Sequence, residues 1–465
     1  MAAGLFCPLF LTSTTSSKNH SAFAMATIFD TVKWALAANI YEVNLRQYTK
    51  EGTFAAFERE LPRLRDMGVE ILWFMPIQPI SLEKRQGTLG SYYACSNYTT
   101  VNPEFGTLED FRSLVHTAHI LGFKLIIDWV ANHTGYDHVW TKQHPAFYKL
   151  NAAGKFYDAN GWEDVIDLDY NNPDLRTTMI EAMRFWIDEC DIDGFRCDMA
   201  HLIPLEFWRA ARAEFDKQKD LFWLAETEEP HYHEVFDATY GWKLLHAMEA
   251  VYRGEGTVQS LINVFEDYDL HFPPNAMRAF FTSNHDENSH SGSEYERFGD
   301  GAKAFAVLCA TWKNSIPLVY SGQEMPNKKR LKFFDKDEIE WKGNYFLHNF
   351  YKTLFALRKN CPALFAGNVS INTRTIATNA PQNILAFLRK LDENEVLIIL
   401  NLSASSRLKF KLSDDFAGGK FTSVFSGIEV EINQFTSFEI QKWEYFVYYR
   451  TVINGLYGLD RIKEL

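Results

Sequence analysis

From Asn39 onward, short apolar runs alternate with segments whose apolar residues recur at three- and four-residue intervals. The runs are 40–44, 71–76, 124–130, 193–198, 221–226, 236–240, 279–285 and 316–321. Each reads as a strand. Between them, Phe54/Phe57/Leu61/Leu64, Phe111/Leu114/Val115/Ala118/Leu121 and Met179/Met183/Trp186/Ile187 mark amphipathic helices. Strands and helices in strict alternation imply a parallel sheet covered by helices, and eight such units predict an α/β chain built as a (β/α)8, or TIM, barrel.

Spacing adds two features. The fourth and fifth runs start 28 residues apart, at 193 and 221, one ordinary strand-helix unit, whereas the third and fourth, at 124 and 193, are far wider. The surplus, 133–172, is polar, aromatic and rich in Gly, Asn and Asp, and is expected to be an excursion at the upper rim of the barrel. Past about 365, the runs 384–389, 395–402, 407–412, 420–425 and 436–448 show short β-type alternation without helices, which predicts a separate antiparallel β-domain. The expected division is an N-terminal extension over 1–29, a barrel over 30–365 carrying the 133–172 insertion, a β-sandwich over 366–448 and a tail over 449–465.

Composition narrows the partners. Lys and Arg number 47 against 60 Asp and Glu, a formal charge of −13, and the basic residues are scattered, which speaks against nucleic acid. No run approaches the roughly 18 apolar residues that a membrane helix needs. Cys7, Cys95, Cys190, Cys197, Cys309 and Cys361 are widely spaced and read as reduced core thiols of a cytoplasmic protein. A secretory leader is not expected: the apolar run Leu5–Leu11 has no basic residue before it, the first being Lys18, and Met25 opens a more ordinary start. With 12 Trp, 21 Tyr and 38 Phe the chain is rich in aromatic faces; a thick core accounts for most of them, and sugar-binding clefts use the same faces.

In such barrels, reacting groups stand just past the carboxyl ends of strands. Those ends are acidic: Asp128 before Asn132-His133, Asp198 before His201, Glu226 after Leu224-Ala225, and Asp286 after Asn284-His285. A single strand-end Asp is commonly a helix cap. Four of them, one or two strand-helix units apart from Asp198 to Asp286, are expected to converge. Convergent carboxylates suit cleavage of a glycosidic bond, one ionised group attacking the anomeric carbon and one protonated group serving the leaving oxygen. Arg196 and Asp198 are i,i+2 on one strand face, so the guanidinium is expected to keep Asp198 ionised. Glu226 follows Phe222-Trp223-Leu224-Ala225, where desolvation raises a carboxyl toward the range of a general acid. Asp286 beside His285 is expected to bind sugar hydroxyls.

At these residues the chain resembles the α-amylase family, glycoside hydrolase family 13. The blocks occur in order as Asp-Trp-Val-Ala-Asn-His (128–133), Val-Ile-Asp-Leu-Asp (165–169), Gly-Phe-Arg-Cys-Asp-Met-Ala-His (194–201), Leu-Ala-Glu (224–226) and Asn-His-Asp (284–286). The resemblance covers about 30–448. It implies a retaining hydrolase of α-glucosidic, chiefly α-1,4, bonds in starch-derived glucans or malto-oligosaccharides, with Asp198 as nucleophile, Glu226 as acid/base and Asp286 as transition-state stabiliser. It further implies Tyr93, Asp128, His133, Arg196 and His285 as substrate-binding residues, and a calcium ion held by Asn132, Asp167 and the carbonyl of His201, oxygen donors suited to a hard cation. No organic cofactor is implied. The Asp-rich cation loop that some relatives have after the first strand has no counterpart in Arg46-Gln-Tyr-Thr-Lys-Glu-Gly-Thr53, and Tyr92, Asn97 and Ala200 depart from the family pattern. Three other readings compete: an α-glucan transglycosylase using the same intermediate, a non-catalytic glucan-binding member, and a metal-dependent hydrolase using His231-Tyr-His233, a pair expected on a solvated loop.

Overall fold

A computed structural model describes residues 29–413, 416 and 418–450. Cys7, the Leu5–Leu11 run, Lys18, Met25, residues 1–28 of the expected extension and residues 451–465 of the expected tail lie outside the described residues.

Eight strands close into a parallel barrel: β1 (Ile40–Val43), β2 (Ile71–Phe74), β3 (Lys124–Trp129), then, after the excursion strands β4 (His133–Gly135) and β5 (Val165–Asp167), β6 (Gly194–Cys197), β7 (Phe222–Ala225), β8 (Ala238–Tyr240), β9 (Met277–Phe280) and β10 (Ser315–Tyr320). Nearly every barrel-strand residue is buried, because side chains on one face fill the barrel and those on the other meet the helices. Local chemistry sets the helix ends. Thr107 and Asp110 form a reciprocal capping box before Leu108–Ile120, and Asn172 caps Pro173–Cys190, which starts on the Pro and stops at Asp191 in the left-handed region. The expected seventh run, 279–285, is displaced: the strand is Met277–Phe280, and Thr282–Asp286 is already rim loop. This brings His285 and Asp286 above the barrel.

The excursion leaves after β3 and returns before the helix at 173; β4 and β5 pair antiparallel, with His133 opposite Asp167. Beyond the barrel, β11 (Asn372–Ile376), β12 (Ile384–Leu391), β13 (Asn394–Asn401), β14 (Leu408–Phe410), β15 (Gly419–Ser423), β16 (Glu429–Ile432), β17 (Phe438–Ile440) and β18 (Tyr445–Arg450) make a six-stranded antiparallel sheet faced by the β14–β17 ribbon. The period of two is visible in its packing. Leu385, Phe387, Val396, Ile398 and Leu400 join the barrel core, while Ile384, Ala386, Leu397 and Ile399 pack with Phe410, Phe438 and Ile440 on the other face. Arg389 reaches through to the carbonyl of Thr311 at 2.9 Å, tying the sheet to the barrel. The expected run 436–448 is two strands broken at Trp443, which has φ 54°. β11 and β16 escaped the pattern because they are polar and half exposed. β18 runs to Arg450, past the expected boundary at 448, held by Glu395 at 2.7 Å.

Gly194 opens the strand that carries Arg196 toward the rim. A Cβ there would lie 2.0 Å from the carbonyl oxygen of Phe222 on the neighbouring strand. Gly194→Ala is therefore expected to destabilise the fold by about 2–3 kcal/mol through forced strand separation, read by denaturant unfolding. An unchanged unfolding midpoint would contradict this close approach.

Candidate active site

Two layers of polar side chains occupy the carboxyl end of the barrel. The upper layer lines a cleft of about 340 Å³ and includes Tyr93, His133, Asp198, Glu226 and Asp286. Beneath it, Asp128, Arg196 and His285 are buried to 1% exposure or less. Of the eight residues expected to be catalytic or substrate-binding, five reach the cleft wall and three form its support.

Arg196 is the centre of the lower layer. Its Nη1 lies 2.9 Å from both Asp128 Oδ1 and Asp198 Oδ1, and its Nη2 lies 2.9 Å from Glu226 Oε1. Nε donates to the Tyr240 hydroxyl at 3.2 Å, and Trp73 lies against the guanidinium at 5.0 Å. Asp198 and Glu226 are thus separated by no more than two short contacts and the width of one guanidinium. Glu226 Oε2 also accepts from the amide of Met199 at 2.8 Å, which fixes its orientation against the residue next to Asp198. Asp198 Oδ2 is buried and has no partner.

A second chain of contacts starts at Glu42 on β1. Its Oε1 accepts from His285 Nδ1 at 2.5 Å, His285 Nε2 meets the Tyr93 hydroxyl at 2.7 Å, and that hydroxyl donates to Asp128 Oδ2 at 3.1 Å. Asp286 Oδ2 lies 3.2 Å from His285 Nε2. Both ring nitrogens of His285 face oxygen atoms, a setting that favours the imidazolium. Burial disfavours that charge, but Asp286 and Glu42 outweigh it and raise the imidazole to about 9. Asp128 has both oxygens committed, one to Arg196 and one to Tyr93, so it braces the site from below.

Burial raises every acid around Arg196. Asp198 is pushed up to about 6 by desolvation, with the guanidinium pulling the other way, and Glu226 to about 7 from the same cause, with Asp198 and Asp286 adding repulsion. The expectation that Arg196 would keep Asp198 ionised has the right contact. The net shift is nonetheless upward, because one guanidinium is shared among three carboxylates in a dry setting. His133 is lowered to about 4 by burial, so it faces the cleft as a neutral ring, with Nδ1 3.2 Å from Asn132 Nδ2.

At the residues expected to hold calcium, Asp167 Oδ1 is buried without a hydrogen-bond partner, while its other oxygen is taken up by the chain itself. Asp167 Oδ2 is paired with the Lys149 ammonium at 3.0 Å and accepts the Ala159 amide at 3.3 Å, so a cation of the chain already balances the one carboxylate. His201 is exposed on a short helical turn after β6. Among the described residues, no group of three or more His, Cys, Asp or Glu is placed to hold a metal ion. The expected solvated histidine pair is split: His231 is exposed, whereas His233 is buried and contacts Thr239 Oγ1 at 3.0 Å. Cys95, Cys190, Cys197, Cys309 and Cys361 are free and buried.

Sequence reasoning missed several residues. Glu42 had a signal, a carboxylate inside the apolar run Ile40-Tyr-Glu-Val43. Trp162, Asp164, Gln86 and Phe333 also line the cleft from irregular loops whose course no local pattern sets, and His290 does so from the π-helical turn Glu287–Ser291. A larger open groove between barrel and C-terminal sheet, near Tyr295, Trp443 and Tyr445, contains none of the strand-end acids.

Comparison with known proteins matches residues 39–149 and 146–349 to the model described as alpha amylase, catalytic domain, and residues 374–447 to the maltogenic amylase C-terminal domain. The alpha-amylase MalA of Haloarcula japonica is 25% identical over 81% of this chain. Neopullulanase 2 of Thermoactinomyces vulgaris is 25% identical over 88% of it. The chain spans 57% of the length of the first relative and 76% of the second. The crystal structure of a maltogenic alpha-amylase from Thermotoga neapolitana superposes with a TM-score of 0.82 at 28% identity, covering 90% of this chain and 99% of that one. No helix among the described residues is long and apolar enough to cross a membrane.

Glu42→Gln removes a charge facing His285, and the imidazole, about 9 in the parent, is expected to fall by about one unit or more in an NMR titration. An unmoved titration would contradict the pairing. With Lys149 balancing Asp167, a chelator is expected to leave the thermal midpoint unchanged; a marked drop restored by calcium would contradict that balance.

Proposed function

The chain belongs to the α-amylase family, glycoside hydrolase family 13, and from that premise we propose that it is a retaining hydrolase of α-1,4-glucosidic bonds in starch-derived glucans or malto-oligosaccharides. One observation carries the reading: Asp198 and Glu226 share a single buried guanidinium and both line the cleft, while Asp198 Oδ2 has no hydrogen-bond partner. That oxygen is the nucleophile. In the first step it bonds to the anomeric carbon as Glu226, protonated, gives its proton to the glycosidic oxygen; the C1–O bond breaks and the aglycone leaves. In the second, Glu226, now a carboxylate, takes a proton from water, whose oxygen displaces Asp198 and restores the starting configuration.

The charge balance favours this path. Asp198 and Asp286 line the cleft as carboxylates while Glu226 carries the proton, so positive charge developing on the sugar ring is stabilised by fixed groups of opposite sign. Tyr93 offers its ring as the face on which the attacked sugar lies, and Asp286, 40% exposed at its side chain, is free to hold hydroxyls. Residues fixed by packing from below place these groups before substrate arrives, which lowers the entropy cost of reaching the transition state. The names of the relatives, amylase and neopullulanase among them, agree with this substrate class.

Asp198→Asn and Glu226→Gln are each expected to lower kcat on maltoheptaose about 10³-fold or more while retaining the fold. In the parent, kcat/KM is expected to fall as pH drops through about 6, where Asp198 takes up a proton, and as pH rises through about 7, where Glu226 loses its own. Near-parental turnover in either variant would overturn the assignment. Products longer than the substrate would assign the same site to transglycosylation.

A further inference from the structure

Three loops meet around one end of the cleft. The segment after β2 carries Gln86, which lines the cleft together with Asp164 of the excursion. On its other flank the same segment joins the loop after β10: Thr88 donates from its amide and hydroxyl to Asp335 Oδ1 at 2.9 and 2.6 Å, and the Leu89 amide donates to the Phe334 carbonyl at 2.9 Å. The approach at Gly87 is close. A Cβ there would stand 2.6 Å from Phe334 Cβ and 2.9 Å from its carbonyl oxygen, and φ is 59°.

The clasp is pinned from below by the stretch that replaces a cation loop after β1. Arg46, 1% exposed, donates to the carbonyl of Gly90 at 3.0 Å, and Gln47, 0% exposed, donates to the carbonyls of Lys332 and Asp335 at 2.9 and 2.7 Å and accepts from the Asp337 amide at 2.6 Å. Such dense buried polar contacts make a fixed wall. Phe333, carried by this wall, stacks parallel to Tyr93 at 6.2 Å and 14° and approaches His285 and His290. Tyr93 is the face proposed for the sugar that Asp198 attacks, and Glu226 serves the leaving oxygen, so the wall that sets Phe333 against Tyr93 stands on the glycone side. The cleft's volume of about 340 Å³ is at the small end of ligand pockets, which run roughly 300–1,000 Å³.

We infer that segment 86–90, clasped to loop 332–337 and facing the excursion across the cleft, closes its glycone end, so that the enzyme recognises the free non-reducing end of an α-glucan and releases short products from it. This rests on the hydrolase reading above. A chain continuing past the wall would have to displace the Thr88–Asp335 contacts, so internal bonds are disfavoured.

The test uses the whole protein with maltoheptaose that is either free or blocked by an ethylidene group at its non-reducing end, with products sized over time. The blocked substrate is expected to react about 100-fold more slowly than the free one, with short products from the first time points. In Thr88→Val/Asp335→Ala, which opens the clasp, the blocked-to-free rate ratio is expected to rise about tenfold. Equal rates on free and blocked substrate in the parent would overturn the wall and leave the hydrolase reading intact. No cleavage of either would overturn the hydrolase reading itself. A parent that discriminates but a variant with the parent's ratio would overturn the assignment of the wall to this clasp.

Discussion

A single guanidinium with no access to water holds the top of this barrel together. Arg196 meets Asp128, Asp198 and Glu226 at 2.9 Å each, and every one of these groups has been taken out of solvent. Removing one partner from such a set leaves the others uncompensated, at a cost of about 3–5 kcal/mol. The arrangement therefore cannot be relaxed locally, and strands β3, β6 and β7 must keep their register for it to exist. The barrel supplies that register through parallel pairing of almost wholly buried strands, with Gly194 letting β6 approach β7. The charge that stabilises the site is also short by design: one cation for three acids leaves the carboxyls shifted upward, where proton transfer near neutral pH becomes available.

Around this rigid centre the loops decide what can enter. The excursion contributes Trp162 and Asp164, the loop after β2 contributes Gln86, and the loop after β10 contributes Phe333. The segment Arg46-Gln47 holds two of these loops from beneath with hydrogen bonds to backbone carbonyls. A scaffold that fixes the chemistry and loops that shape access is the usual division of labour on this architecture. The C-terminal sheet adds stability through Arg389 and a shared apolar core, and contributes no residue to the cleft.

Much of the scaffold was legible because its signals are local. Alternating apolar runs and helical periods located all eight barrel strands, and strand ends carried their acids in plain view. The two-faced packing of the C-terminal sheet could be read from period two, except where β11 and β16 expose polar residues and lose the pattern. The lower layer was harder. Glu42 was hidden as one residue of an apolar run, and only the closed barrel shows that it faces His285. The strength of burial was also beyond the sequence: i,i+2 spacing placed Arg196 against Asp198, but not the two further carboxylates that share it. Asp167 and Lys149 are 18 positions apart on irregular chain, so their pairing had no local signature, and the clasp between Thr88 and Asp335 spans 247 positions.

The account stands on Asp198 Oδ2 being the oxygen left free to bond with the sugar. Incubation with a slow-turnover 5-fluoro glucosyl fluoride, followed by proteolysis and mass spectrometry, tests that directly. The expected result is one added glycosyl mass on the peptide containing Asp198, at that side chain. A label on Asp128 or Asp286, or turnover with no covalent adduct at all, would contradict it.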